Sequence, residues 1–174
     1  MNKKIIALAV LAGSAFVSVA HAADGTINFT GNVTANACTV SAGSATQNVP
    51  MGSVGATAFK AAGDTAGIGP ISIVLSACPA AATSAAIKFD GAANATNSSL
   101  LALTTGTGVA TGVGIGIYES NLTTQIPLGS ASASKTLVTT GNNTFSFVAK
   151  YVATSATVTT GPANAVSNFT VSYP

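Results

Sequence analysis

The chain has 174 residues, of which only 6% are charged and none is Trp, and its formal net charge is +2; ordinary soluble domains carry about 25% charged residues. Its cations are six lysines without a single arginine, too sparse for a phosphate-tracking surface, which excludes nucleic acid as a partner. A polar surface made of Thr, Ser, Asn and Gly, with little charge to keep copies apart, suits a β-rich subunit of an assembly.

Lys3 and Lys4 give a positive start, Ile5 to Val19 an apolar run, and Ala20-His21-Ala22 a small-x-small cleavage site. Residues 1–22 therefore read as a secretory signal peptide, because the apolar run is short for a membrane span. Cleavage before Ala23 leaves roughly 150 residues, the size of one domain. It also removes Lys3 and Lys4, so that Lys60, Lys88, Lys135 and Lys150 face Asp24, Asp64, Asp90 and Glu119 and the mature chain is neutral.

The mature chain opens on Gly25-Thr26-Ile27-Asn28-Phe29-Thr30-Gly31-Asn32-Val33-Thr34. Ile27, Phe29 and Val33 are apolar, Gly25 and Gly31 share their face, and the intervening positions are Thr or Asn. This is the period of a strand with one face to bury. A strand at a free terminus pairs within its own fold or completes another copy. The expectation here is that it leaves, with residues 23–34 forming an extension and 35–174 the domain.

Cys38 and Cys78 are the two cysteines. In an exported protein they read as one disulfide, closing a loop of about 41 residues worth roughly 4 kcal/mol in the chain-entropy model. Cys38-Thr39-Val40 continues extended, and Gln47 to Gly52 reads as a short strand that Pro50 confines to an edge or strand switch. Ala56 to Gly69 is rich in small residues and reads as loop. Ile71 to Ser76 is a β-branched strand ended by Pro79, Ala86 to Phe89 a short one closed by the Asp90-Gly91 turn, and Leu100 to Leu103 another.

Gly112-Val113-Gly114-Ile115-Gly116-Ile117-Tyr118 has the spaced glycines of a dinucleotide loop. Such a loop needs a helix directly after it, and Glu119-Ser120-Asn121-Leu122 leads instead to a turn and Pro127. Its reading is a strand with one bare face. Lys135 to Thr139 and Thr144 to Val152 follow as strands, with Phe145, Phe147, Ala149 and Tyr151 on one side. After a Thr/Gly/Pro loop over 153–164, Phe169, Val171 and Tyr173 alternate in a last strand that reaches almost to Pro174. Many short strands between turn signals, without helical periodicity, predict an all-β antiparallel sandwich.

Catalysis has little to draw on. His21, the only histidine, leaves with the signal peptide, so no Cys–His pair can form. The carboxylates are dispersed and read as solvated charges rather than as an acid–base pair, and no residue cluster has metal-ligand spacing. The expectation is a protein that is not an enzyme, with no cofactor and no metal. Asn-x-Ser/Thr patterns, including those at Asn94, Asn97 and Asn121, follow from a composition rich in Asn and Thr.

Taken together, these residues resemble the major subunits of chaperone–usher fimbriae, the type 1 pilin family. The resemblance rests on Gly25-Thr-Ile-x-Phe-x-Gly-x-Val33, Ala37-Cys38-Thr39-Val40, Gln47-x-Val49, Met51-Gly52-x-Val54, Cys78, and Phe145-x-Phe147-x-Ala149-x-Tyr151. At the end, Tyr173 and Gly161, fourteenth from the C-terminus, frame what looks like the family's chaperone-recognition motif. The resemblance implies an immunoglobulin-like β-sandwich that lacks its last strand and leaves a groove beside the C-terminal strand.

It further implies that Gly161, Phe169, Val171 and Tyr173 belong to that groove and its recognition. A periplasmic chaperone fills the groove during export through an outer-membrane usher. In the fibre, Gly25, Ile27, Phe29, Gly31 and Val33 of the next copy then replace the chaperone strand by β-strand addition, and other pilus subunits join in the same way. The protein is thus expected on the bacterial surface, supporting adhesion. Only Ala23 and Asp24 precede Gly25, so either the donor register is shifted toward Gly31 and Val33 or Ala23 fills the first pocket. The alternative, a minor pilin or single-domain adhesin that touches a host receptor, has less support because receptor sites favour aromatic anchors and aromatics here are 6%.

Overall fold

The computed structural model describes residues 25, 27–31 and 37–174. The expected signal peptide over 1–22, Ala23, and Val33 of the expected donor strand lie outside these residues. The chain divides into two units, Met1–Val33 and Thr34–Pro174. In the first, the described residues form neither helix nor strand, and Ile27 and Phe29 are 79% and 91% exposed.

The regular structure of the second unit is almost wholly strand: β1 (Thr39–Val40), β2 (Thr65–Ser76), β3 (Ser84–Gly91), β4 (Val113–Glu119), β5 (Gln125–Ile126), β6 (Lys135–Thr136), β7 (Asn143–Ala153) and β8 (Ser167–Ser172). A one-turn helix α1 (Ala42–Ala45) and a 3-10 turn over Ala56–Ala58 interrupt the first connection. One sheet has the order β1-β2-β7-β4-β5, the other β6-β3-β8. Every pairing is antiparallel. This is the all-β sandwich that the strand spacing predicts.

Alternation explains the core. The inward residues Ile73 and Leu75 of β2, Ile115 and Ile117 of β4, and Phe145, Phe147 and Ala149 of β7 meet Ala85, Ile87 and Phe89 of β3. The two layers touch at Phe89 and Phe147, whose rings stand edge to face at 5.1 Å, a geometry that suits the aromatic quadrupole. The bare face of β4 has a cover of its own. A Cβ on Gly116 would stand 2.9 Å from the Tyr118 ring and 3.2 Å from Leu100, and Leu100, Tyr118 and Val152 form a separate small core there.

Cys38 and Cys78 form a disulfide with Cα atoms 4.2 Å apart. It closes the end of the β1–β2 ladder, whose first pair is Thr39 with Ser76. Asn143, buried beside it, donates to Cys78 Sγ and exchanges bonds of 2.8 and 2.9 Å with the Val138 N–H and carbonyl.

Several expected strands differ. Gln47 to Gly52 forms no strand. Pro50 lacks a donor, and side chains take the place of the ladder: Ser44 Oγ accepts from Val74 N at 2.9 Å and Gln47 Oε1 from Ser72 N at 3.2 Å. Leu100 to Leu103 contributes only bridges, Leu101 pairing with Ile115 and Ala93, because its role is to lie over the β4 glycines. Lys135 to Thr139 shortens to β6, since Asn143 grips Val138. Conversely, β2 begins at Thr65, inside the expected loop, by means of a register shift between Ala66 and Gly69.

Candidate functional site

The last strand, β8, pairs with β3 alone and lies at the end of its sheet. Its inward side chains Phe169 and Val171, and Tyr173 just past its end, are therefore only half-buried, whereas Phe145, Phe147, Ala149 and Tyr151 of β7, which has a neighbour on each side, are buried. Beside β8 runs an open groove of about 740 Å³. One wall is Ala163–Ser167 with Phe169, the other is the irregular 44–52 segment, and Ile71, Ile73, Ile115, Ile117 and Ala149 line the floor.

The floor of this site is apolar, and its walls add the polar residues Ser44, Gln47, Asn48, Asn164 and Ser167. Its one ionisable side chain, Tyr151, donates to the Ala163 carbonyl at 3.1 Å, and burial pushes its phenol above the usual value. Gln47 to Val54 has no main-chain hydrogen-bond partner among the described residues. Unpaired backbone on that wall and on the free edge of β8 is the feature that an added strand satisfies.

Among the described residues the carboxylates lie elsewhere, with Asp64 in a turn, Glu119 bonded to a distant backbone N–H and Asp90 in an ion pair. Asp64 Oδ2 accepts from Lys60 N at 2.6 Å and Ala61 N at 2.8 Å, bonds that hold its carboxyl below the ordinary value of 3.8. Glu119 Oε1 accepts from Ala133 N at 2.7 Å, and Asp90 pairs with Lys88 at 3.5 Å. Asn94, Asn97 and Asn121 accept from backbone N–H groups two or three residues on, so these sequon positions are turn formers.

The predicted site residues fall in several places. Gly25, Ile27, Phe29 and Gly31 are exposed, and Val33 is outside the described residues. Phe169 lines the groove. Val171 packs half-buried against the core. The Tyr173 hydroxyl accepts from Cys38 N at 3.0 Å, tying the end of β8 to the point where the chain enters the domain. Gly161 is not among the groove residues. It packs on the 108–110 loop, where a Cβ would meet the Gly108 carbonyl and come within 2.7 Å of Ala110 N. Sequence reasoning missed Ser44, which sits in an Ala/Gly-rich stretch with no pattern, and Gly69, whose only signal is that it follows Gly67 by two residues.

Comparison with known proteins agrees with this architecture. The family description "Fimbrial protein" matches residues 27–174. The chain is 39% identical to a probable major fimbrial subunit LpfA of Escherichia coli O157:H7, covering 99% of this chain and 97% of the relative. It is equally 39% identical to long polar fimbria protein A of Salmonella typhimurium, over 99% and 98%. Among solved structures, the antigen and type I fimbria protein of Burkholderia pseudomallei is 39% identical with a TM-score of 0.62, over 86% of this chain and 97% of that one. The P pilus rod subunit PapA is 25% identical with a TM-score of 0.65, over 79% and 99%. An alternating N-terminal segment, a single disulfide and a sandwich open beside its last strand thus coincide with full-length similarity: the chain belongs to the family of fimbrial subunit proteins.

Proposed function

We propose that the protein is a structural subunit of a bacterial fimbria and polymerises by donor-strand exchange, residues 23–34 of one copy filling the groove of the next. The observation that carries this is the unpaired edge of β8 above a groove whose apolar residues alternate in the same period as Ile27 and Phe29. Seating Ile27, Phe29 and Val33 contributes about 1.5–3 kcal/mol each. Each ladder hydrogen bond adds roughly 0.5–1.5 kcal/mol. A junction of order 10 kcal/mol results, before the cost of ordering the extension.

Polarity follows from Tyr173. β8 runs toward the Cys38 end, where the acceptor's own chain enters its domain. A donor's domain therefore sits clear of it at the Asn164–Ser167 end, and its strand runs antiparallel to β8. Such a head-to-tail contact is heterologous and builds a filament wherever its rotation does not close a ring. During export, a periplasmic chaperone holds the groove and an outer-membrane usher passes the subunit to the cell surface; an exposed edge and apolar groove need such cover to avoid aggregation.

The test is size-exclusion chromatography with electron microscopy on the mature chain, alone and with excess synthetic peptide spanning Ala23 to Val33. SDS-resistant fibres that the peptide shortens are expected. A stable monomer that ignores the peptide refutes donor-strand exchange, and oligomers capped at a few copies refute the major-subunit role.

A further inference from the structure

Resting on the donor-strand reading above, we propose that Gly69 is a positioning residue that sets the width of the groove by seating the wall that carries Val49 and Met51. Gly69 is buried on the inward face of β2, two residues ahead of Ile71 on the groove floor. A Cβ built on it would lie 2.5 Å from Met51 Sδ and 2.6 Å from Val49 Cγ1. Both side chains are groove lining. At Gly67, where φ is +73°, a Cβ would meet the Met51 carbonyl at 3.3 Å and Val54 Cγ2 at 3.2 Å. The β2–β7 register shift between Ala66 and Gly69 includes Gly67. Bulge and glycines together form a bare seat on which the wall rests.

Along Val49 to Val54 that wall is held by side-chain packing on the core, not by hydrogen bonds among the described residues. Its backbone has no main-chain hydrogen-bond partner among the described residues, and the side-chain bonds that anchor it stop at Gln47. The distance from β2 at which Val49 and Met51 ride therefore determines the gap that faces β8. An inserted strand needs about 4.8 Å to each neighbour, and N–H···O bonds weaken beyond about 3.2 Å. A displacement of some tenths of an ångström is felt by every bond on that rail.

The two contacts respond differently to a methyl group on residue 69. The Met51 sulfur lies near the end of a flexible side chain and yields. Val49 Cγ1 belongs to a β-branched side chain that is stiff at χ1, so its backbone must move. Gly69→Ala is expected to slow assembly of the mature chain into SDS-resistant fibres at least tenfold, with the disulfide and far-UV circular dichroism of the subunit unchanged. Val49→Ala in the same chain removes the obstructing methyls and restores assembly to within about threefold of the Gly69 protein.

Val49→Leu crowds the same gap from the wall's side. It lowers assembly in an otherwise native chain, and it tests the role of the gap even should Gly69→Ala fail to fold. Ile68→Ala, next door but on the exposed side of β2, leaves assembly unchanged. Gly69→Ala fibres forming at the native rate, a folded Gly69→Ala defect that Val49→Ala does not relieve, or a silent Val49→Leu would each overturn the role of Gly69. Native chains that fail to assemble, or that assemble regardless of excess Ala23–Val33 peptide, would overturn the donor-strand reading itself.

Discussion

Phe29→Ala tests whether the alternating side chains of the extension, rather than its backbone alone, hold a fibre junction. Phe29 is 91% exposed in the lone chain, so docking into an apolar groove removes nearly the whole ring from water. Full burial of a phenylalanine side chain contributes about 1.5–3 kcal/mol. Alanine keeps only a methyl group, which places the loss near 2 kcal/mol per junction, with a cavity left in the groove adding to it. At about 1.4 kcal/mol per tenfold change, each junction equilibrium shifts roughly 30-fold. Thr30→Ala is the matched control: it lies on the other face of the same segment, where its loss is expected to be a few tenths of a kcal/mol. The assay is the fraction of chains remaining in fibres after stepwise guanidinium treatment, read by SDS gel and electron microscopy. Phe29→Ala fibres should dissociate at clearly lower denaturant, with Thr30→Ala fibres overlapping the native curve. Equal losses in the two variants, or none in either, would refute the burial of alternate side chains.

Three further outcomes follow from the domain itself. Replacing both cysteines, Cys38→Ser with Cys78→Ser, should cost about 4 kcal/mol from the loop they close, a large part of an ordinary domain's margin. The melting temperature of the native chain should fall equally on reduction, and that of the double variant should not respond to reductant. Asn143→Ala should cost about 1–2 kcal/mol, because the buried amide loses two hydrogen bonds to the backbone of the exposed Val138, whose N–H and carbonyl water can still reach; an unchanged thermal melt would refute that role. For Asp64 the sign is set by the Lys60 and Ala61 N–H groups, which hold its folded carboxyl below the ordinary 3.8. Whatever the turn gains from the carboxylate is complete above that ordinary value and is lost as pH falls through the depressed one. The Lys60 and Ala61 amide resonances should therefore shift together in acid and stay still in Asp64→Asn, while a titration midpoint above 3.8 would contradict the hydrogen-bonded turn.

What is legible in the sequence, and what is not, divides at the number of neighbours a strand has. Phe145/Phe147/Ala149/Tyr151 and Phe169/Val171/Tyr173 carry the same alternation, and each is readable as a strand with one buried face. Alternation specifies the face and is silent about the edges. β7 lies between β2 and β4, and β8 beside β3 only, so one set is buried and the other half-open. Only a family resemblance makes that difference visible from sequence. The wall opposite β8 is hidden for a related reason: Gln47 to Gly52 has a strand's residues, but Ser44 and Gln47 side chains occupy the β2 edge where its ladder would form. The spaced glycines of β4 do read as a bare face, yet the cover, Leu100, comes from an earlier segment that looks like a strand of its own. In each case local pattern determines what a segment can do, and a partner distant in sequence determines what it does. The first alternating segment is the limiting instance. Ile27 and Phe29 have the period of a buried strand and are exposed in their own unit, while β8 has an edge with no strand on it. Under the donor-strand proposal a pattern lacking a partner and a groove lacking a strand satisfy one another between copies, so that a sequence which under-specifies one molecule would specify a fibre.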